Sequence, residues 1–322
     1  MVSRAWKGDT VVASDFPIAD VSQHLVHGDQ MVWIHLDSPD ADTLHQLARE
    51  LELHELAVED ALSEHQRPKL DRYPTHSFVT CHSLQWTDTT ERLATAEIDC
   101  FIGPHWLVTV TKGEAFSIDE VRERWDQYPH LLSCGVKFLL YVLLDTVVDG
   151  YFAAVAAFDD YYDEVSAGLF VDEPLDPRQQ QDWFETRRAL VQFHRLASPM
   201  REVTSGLMRR DQGDIEEPLY PYYQDLYDHV LRIIESTDAL RDLLSTIVET
   251  NLSLRDYRQN QIMKKVTSWA AIIAVPTLVT GYYGMNVPYP GFARHWGVWF
   301  ATGMMVVFVA ALWAMFRRKD WL

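Results

Sequence analysis

The chain has 322 residues, with 28 Lys plus Arg against 47 Asp plus Glu and a net charge of −19 at pH 7. So acidic a chain offers no broad basic face, which argues against nucleic acid as a partner; the surplus of acids serves solubility or draws cations. Its three cysteines, Cys81, Cys100 and Cys134, are odd in number and lack CxxC spacing, so they point to a reducing compartment and not to a disulfide framework or a zinc site.

Met1 to Asp9 holds no apolar run of the signal-peptide kind, so the N-terminus is expected to stay in the cytoplasm. Met31 to Leu36 (MVWIHL) predicts a short strand before a Ser-Pro turn. Ala41 to Leu62 predicts one helix, with Leu44, Leu47, Ala48 and Leu51 on one face. Ser77 to Leu84, Glu97 to Ile102 and Trp106 to Thr111 predict strands, the last two joined by the Gly103-Pro104 turn. This mixed arrangement has no Gly-rich phosphate loop, GxSxG elbow or HExxH pair. Glu59 and Asp60 are adjacent and point apart on a helix, and no nucleophile–base pairing is visible, so neither an enzyme nor an organic cofactor is expected.

From Leu131 the pattern turns helical. One helix is predicted from Leu131 to Leu169, ending near Pro174 and Pro177, and a second from Arg178 to Arg210 before a break at Gly213 and Pro218. No proline occurs between Pro221 and Pro276. One helix from Tyr222 to Asn286 would approach about 100 Å at 1.5 Å per residue. Leu226, Val230, Ile233, Leu240, Leu244, Ile247 and Leu254 form an apolar seam that Thr237 and Asn251 interrupt. The opposite stripe carries Glu249, Asp256, Asn260 and Met263. Such a stripe is either a solvated face or, with several copies around an axis, a pore lining.

Two uncharged stretches close the chain, Val266 to Ala293 and Gly297 to Phe316. Each suffices for a span of about 20 residues. Lys264 and Lys265 precede the first, and Arg317, Arg318 and Lys319 follow the second, whereas the loop between them offers only Arg294. The positive-inside tendency places both termini in the cytoplasm. Tyr282, Tyr283, Trp296, Trp299 and Trp321 fall where aromatic belts do. Two spans cannot enclose a pore, so a conducting form must oligomerise.

The first span ends in Tyr283-Gly284-Met285-Asn286, which resembles the GMN signature of the CorA family of divalent-cation channels. The terminal run Arg317-Arg318-Lys319-Asp320-Trp321-Leu322, the mid-span pair Pro276-Thr277, and the upstream runs Val58-Glu59-Asp60-Ala61-Leu62 and Gln66-Arg67-Pro68-Lys69-Leu70 are similar to that family's patterns. The resemblance extends from Trp33 to Leu322. It implies an α+β membrane protein of the inner membrane: a homopentameric funnel with an α/β/α cytoplasmic domain (1–221), a stalk (222–265) continuous with the first span (266–286), an external loop (287–296), a second span (297–316) and a basic tail (317–322). It implies Mg2+, and with it Co2+ or Ni2+, as the transported ion, and intracellular Mg2+ as the gating ion.

By the same resemblance Gly284, Met285 and Asn286 form the selectivity filter, although Asn also suits a helix C-cap. Five Asn286 amide oxygens would hold the first-shell waters of an ion that dehydrates reluctantly. Thr277 and Gly281 match lining positions below the filter. Asn260, Met263 and Val266 match an Asn and an apolar constriction nearer the cytoplasm, and Glu249 an acidic stalk position. Asp225 and His229 match a regulatory metal site. The loop Val287-Pro288-Tyr289-Pro290-Gly291-Phe292-Ala293-Arg294-His295 departs from the family in having no acid. A zinc transporter of the ZntB-related branch and a non-conducting membrane-anchored scaffold are the alternatives.

Overall fold

The computed structural model describes residues 1–26, 28–89, 91–168, 177–209, 215, 217–288, 291–292 and 294–322. It divides into two compact units, Met1–Leu244 and Ser245–Leu322.

The first unit is built on a seven-stranded sheet of order β2-β1-β3-β7-β6-β5-β4. Its strands are β1 (Val2–Lys7), β2 (Thr10–Ser14), β3 (Gln30–Asp37), β4 (Lys69–Arg72), β5 (Ser77–Trp86), β6 (Leu93–Ile102) and β7 (Trp106–Lys112). Every pairing is antiparallel except β3 with β7, where Ile34 lies beside Val108. The central strands are apolar on both faces, as a sheet covered on both sides requires. On one face Val32, Ile34, Leu36, Val108 and Val110 pack with Leu44, Leu47, Leu51, Ala57, Val58 and Ala61 of α2 (Ala41–Leu51) and α3 (Glu55–Leu62), after the short α1 (Val21–Leu25). On the other, Trp33 meets Trp125 of α4 (Ile118–Gln127) edge-on at 4.8 Å, and the Tyr151 hydroxyl of α5 (Val136–Gly168) donates to the His82 carbonyl at 2.6 Å.

The helix expected from Ala41 to Leu62 is two helices. Asp40 accepts from the Thr43 N–H at 2.8 Å to start α2, and Glu52 ends it in the left-handed region at φ 52°. The His54 ring then accepts from the Leu56 N–H at 3.2 Å to start α3. The helix expected from Leu131 begins instead with a 3-10 turn, Pro129–Cys134, and α5 follows. The next divides at Ser198-Pro199 into α6 (Pro177–Ala197) and α7 (Met200–Leu207), because a proline ring disfavours a helical residue before it. The expected ends at Leu169, Pro174, Arg210 and Gly213 lie outside the described residues. Cys81, Cys100 and Cys134 are buried and form no disulfide among the described residues.

Among the described residues three helices are long and apolar enough to cross a membrane: α5, α8 (Tyr220–Tyr283) and α9 (His295–Arg318). In α5, 61% of the apolar stretch is buried in the fold, against 17% in α8 and 0% in α9. So α5 is a core helix, and the two C-terminal helices carry the exposed apolar surface. The seam read along α8 is buried at Leu226, Val230, Ile233, Leu240, Leu244 and Ile247. Thr237 interrupts it at no polar cost, since its hydroxyl donates to the Ile233 carbonyl at 2.6 Å. The helix expected to reach Asn286 ends at Tyr283.

Candidate functional site

Pro276 lies inside α8 and has no N–H for the Ile272 carbonyl four residues back. Just after it two hydroxyls donate back within the helix: Thr277 to the Ile273 carbonyl at 3.0 Å and Thr280 to the Pro276 carbonyl at 2.8 Å. The helix ends one turn later. The Gly284 N–H donates to the Thr280 carbonyl at 2.8 Å, and the Met285 N–H to the Tyr282 carbonyl at 3.3 Å. A Cβ on Gly284 would sit 2.9 Å from the Thr280 oxygen, so this turn accepts only glycine. Asn286 follows it in a bend, exposed, with Met285 48% exposed.

Glu249, Asp256, Asn260, Met263, Val266, Thr277 and Gly281 are all exposed. At about 100° per residue they fall within an arc of about 120° on one side of α8. The buried residues of the same stretch, Ser268, Ile272 and Val279, lie roughly opposite. Val279 lines a cavity with Val298, Ala301, Thr302 and Met305, which puts α9 on that opposite side. The stripe of Glu249, Asp256, Asn260 and Met263 and the positions matched from the family therefore form one uncovered face with the second apolar helix behind it. A Cβ at Gly281 would meet nothing within 4 Å, so no packing among the described residues demands a glycine there. A bare backbone at that point leaves its carbonyls open to the uncovered side.

The connection to α9 is tight. Gly291 holds φ 91°, and a Cβ on Gly297 would lie 2.6 Å from the Gly291 carbonyl oxygen. Arg294 is the N-cap of α9. Tyr289, Pro290 and Ala293 of the acid-free loop lie outside the described residues. At the other end of α9, Trp321 stacks on Phe316 at 5.8 Å and Arg317 lies 5.0 Å over the Trp313 ring.

In the first unit, His229 Nε2 stands 3.6 Å from Asp225 Oδ2, one helical turn away. The structure adds neighbours that the sequence did not single out. Phe152 meets the His229 ring edge-on at 5.4 Å. Asp145 and Asp149 of α5 share Arg124, whose Nη1 is 3.4 and 2.7 Å from their carboxylates. Burial, and then Asp149, raises the Asp145 carboxyl above its usual range, with Asp225 adding to the effect. An i,i+4 repeat of acids on α5 was the only signal for this cluster, and it does not say which helix the repeat faces. Among the described residues no group of three or more His, Cys, Asp or Glu side chains is arranged to hold a metal, so a metal at Asp225 and His229 would need donors beyond the described residues.

Residues 28–318 match the family model of the CorA-like Mg2+ transporter protein. The chain is 30% identical to the Bacillus subtilis protein named "Putative metal ion transporter YfjQ", over 90% of this chain and 89% of that one. It is 27% identical to the cobalt/magnesium transport protein CorA of Thermotoga maritima, over 96% and 89%. Its fold is similar to the complete structure of the CorA magnesium transporter from Methanocaldococcus jannaschii, with a TM-score of 0.78 and 22% identity over 100% of this chain and 99% of that one. With the family model covering all but the ends of the chain, and the signature at the end of α8, the protein belongs to the CorA-like Mg2+ transporter family, a family of membrane transporters and not of enzymes.

Proposed function

We propose that this protein is a homopentameric channel of the inner membrane that carries Mg2+ into the cytoplasm. The observation that carries the reading is the uncovered stripe of α8 ending in Gly284-Met285-Asn286, with α9 behind it. Five stripes around an axis line a path, and α9 separates it from lipid. Residues 266–286 and 297–316 are the spans, 287–296 the external loop, 222–265 the stalk, and 1–221 with the tail 317–322 cytoplasmic. This leaves Lys264, Lys265, Arg317, Arg318 and Lys319 on the inner side.

The chemistry follows from the ion. Mg2+ holds its waters tightly, so a filter gains by binding the hydrated ion. Amide oxygens of five Asn286 side chains are neutral acceptors for those waters, strong enough to hold the ion and weak enough to release it. Gly284 fixes the turn that presents them, and Met285 packs the ring. Thr277 and the Gly281 carbonyl take up the next waters. Asn260 follows, and Met263 and Val266 form a ring that closes by dewetting. Glu249 adds an acidic ring in the stalk. Cytoplasmic Mg2+ bound by Asp225 and His229 together with donors of a neighbouring subunit bridges acidic chains and favours the symmetric, closed state; its loss lets like charges separate. With no acid in the described part of the external loop and Arg294 beside it, ion capture rests on the Asn286 ring alone.

Flux into liposomes under an inside-negative potential tests the ion. Mg2+ entry reported by an internal dye supports the reading. Zn2+ entry without Mg2+ entry transfers the protein to the ZntB-like alternative, and no flux of either ion from a verified oligomer makes it a scaffold.

A further inference from the structure

The first unit contains a cavity of about 550 Å³, lined by Gln66, Arg67, His82, Glu97, Lys112 and Arg195 among others. That volume is of the size that holds a small metabolite. It lies between the turn that follows α3, strands β5–β7 and helix α6, away from Asp225 and His229 and outside the second unit.

The floor is internally satisfied. Lys112 Nζ donates to Glu97 Oε1 at 2.6 Å and to the Ser63 carbonyl at 2.7 Å, and lies 3.0 Å from Asp99 Oδ2. Two of the three ammonium protons are thus committed, and the charge is balanced by Glu97 and Asp99. The Gln66 N–H fills Glu97 Oε2 at 2.9 Å. Burial would raise the Glu97 carboxyl, but His82, Lys112 and the Gln66 N–H outweigh it and hold it at about 2. A carboxylate so engaged is a poor ligand for a metal ion.

What is left over has the opposite character. His82, one of the lining residues, is 5% exposed, and its Nδ1 has no hydrogen-bond partner among the described residues. Buried polar atoms are rarely left so, and each such atom asks for a partner. At the open side, Arg67 and Arg195 are exposed, and among the described residues neither makes an ion pair. Two unpaired guanidiniums at one mouth are unexpected in a chain of net charge −19. The other acid of the lining, the exposed Glu64, lies 3.9 Å from His65 Nδ1. Gly113 keeps the wall clear, because at φ 107° its Cβ would lie 2.9 Å from the Thr95 carbonyl oxygen. Thr95, Gln66 and Gln192 make the remaining lining polar, with Leu196 the one large apolar contributor.

We propose that this cavity binds a small phosphorylated metabolite, a phosphate monoester with a hydroxyl-rich body. Arg67 and Arg195 hold the phosphate, as planar guanidinium forks do, and the body reaches inward along the polar lining of Gln66, Thr95 and Gln192. The site also gives a role to the Gln66-Arg67-Pro68 run, which the transport path leaves unused.

The test is calorimetric titration of the full-length protein in detergent, at constant Mg2+, with glucose 6-phosphate, AMP, inorganic phosphate and uncharged glucose. Saturable binding of at least one ester is expected, with no binding of glucose. Arg67→Gln and Arg195→Gln are each expected to weaken it about tenfold, or 1.4 kcal/mol, while the melting temperature of the ligand-free protein stays unchanged. No saturable binding of either ester, inorganic phosphate bound as tightly as the esters, or ester binding unaffected by both substitutions would overturn the proposal. Because the readout is binding, the result is independent of whether the chain conducts Mg2+.

Discussion

The Gly284 N–H donates to the Thr280 carbonyl at 2.8 Å, and the same oxygen lies 2.9 Å from where a Cβ on Gly284 would sit. The bond and the lack of room together fix the turn that presents Asn286. Gly284→Ala must therefore move backbone, a strain of about 1–3 kcal/mol for overpacking, at the point where conduction is proposed to be most sensitive. Mg2+ influx is expected to fall about tenfold or more, since each 1.36 kcal/mol on a barrier is tenfold in rate. The melting of the first unit should not change. Dye influx and thermal denaturation on one preparation check both parts.

Lys112 is 2.6 Å from Glu97 and 3.0 Å from Asp99, whose side chains are 7% and 0% exposed. Lys112→Met strands both carboxylates in the sheet. Removing one partner of a buried pair costs about 3–5 kcal/mol, so melting should fall by roughly 10 °C. Thermal denaturation of the full-length protein measures it.

His35 is 6% exposed and bonded to the Thr109 hydroxyl at 3.1 Å. Burial lowers it from 6.5 to about 4, with Asp37 opposing the shift. Between those values the unfolded chain binds the proton and the folded chain does not, so this group's contribution is full above pH 6.5 and is lost as pH falls toward 4. It amounts to about 3 kcal/mol at 1.36 kcal/mol per unit. Asp99, raised by burial to about 6, acts with the opposite sign over nearly the same range. The difference between wild type and His35→Gln isolates the histidine. Denaturant titrations from pH 4 to 7, followed by tryptophan fluorescence, are expected to show the wild type gaining stability relative to the variant as pH rises from 4 to 6.5.

In the proposed channel Asp225 and His229 belong to the gating site. Protease protection by Mg2+ should need a higher concentration in Asp225→Asn, by about fivefold or more for a coupled site. An unchanged midpoint would remove Asp225 from the regulatory site.

The C-terminal half of the architecture was legible because its signals are continuous. The proline-free run after Pro221, the seam from Leu226 to Ile247 and the uncharged stretches each extend over many turns. Short and exposed elements carried no such pattern. β4 reads Lys-Leu-Asp-Arg, a charged edge strand that pairs only with β5, and β2 is mostly exposed. The break between α2 and α3 rests on Glu52 in the left-handed region, with no Gly or Pro to announce it. Pro199 did announce the break between α6 and α7, and the helical periodicity around it overrode that signal. At the candidate site, helical spacing put Glu249, Asp256, Asn260 and Met263 on one stripe, which is exposed, and the resemblance to the signature singled out Gly284 and Asn286. The neighbours of His229, and the cavity at His82, were not: they join residues more than seventy positions apart, which only the sheet and the packing of α5 and α6 bring together.

The most direct test of the account is Mg2+ influx into dye-loaded liposomes at an inside-negative potential, comparing wild type with Asn286→Ala after cross-linking has verified that both are pentamers. Influx in the wild type that is lost in Asn286→Ala is the predicted result. Equal influx through both pentamers would contradict it, because the ion would then pass without the amide ring at the end of α8.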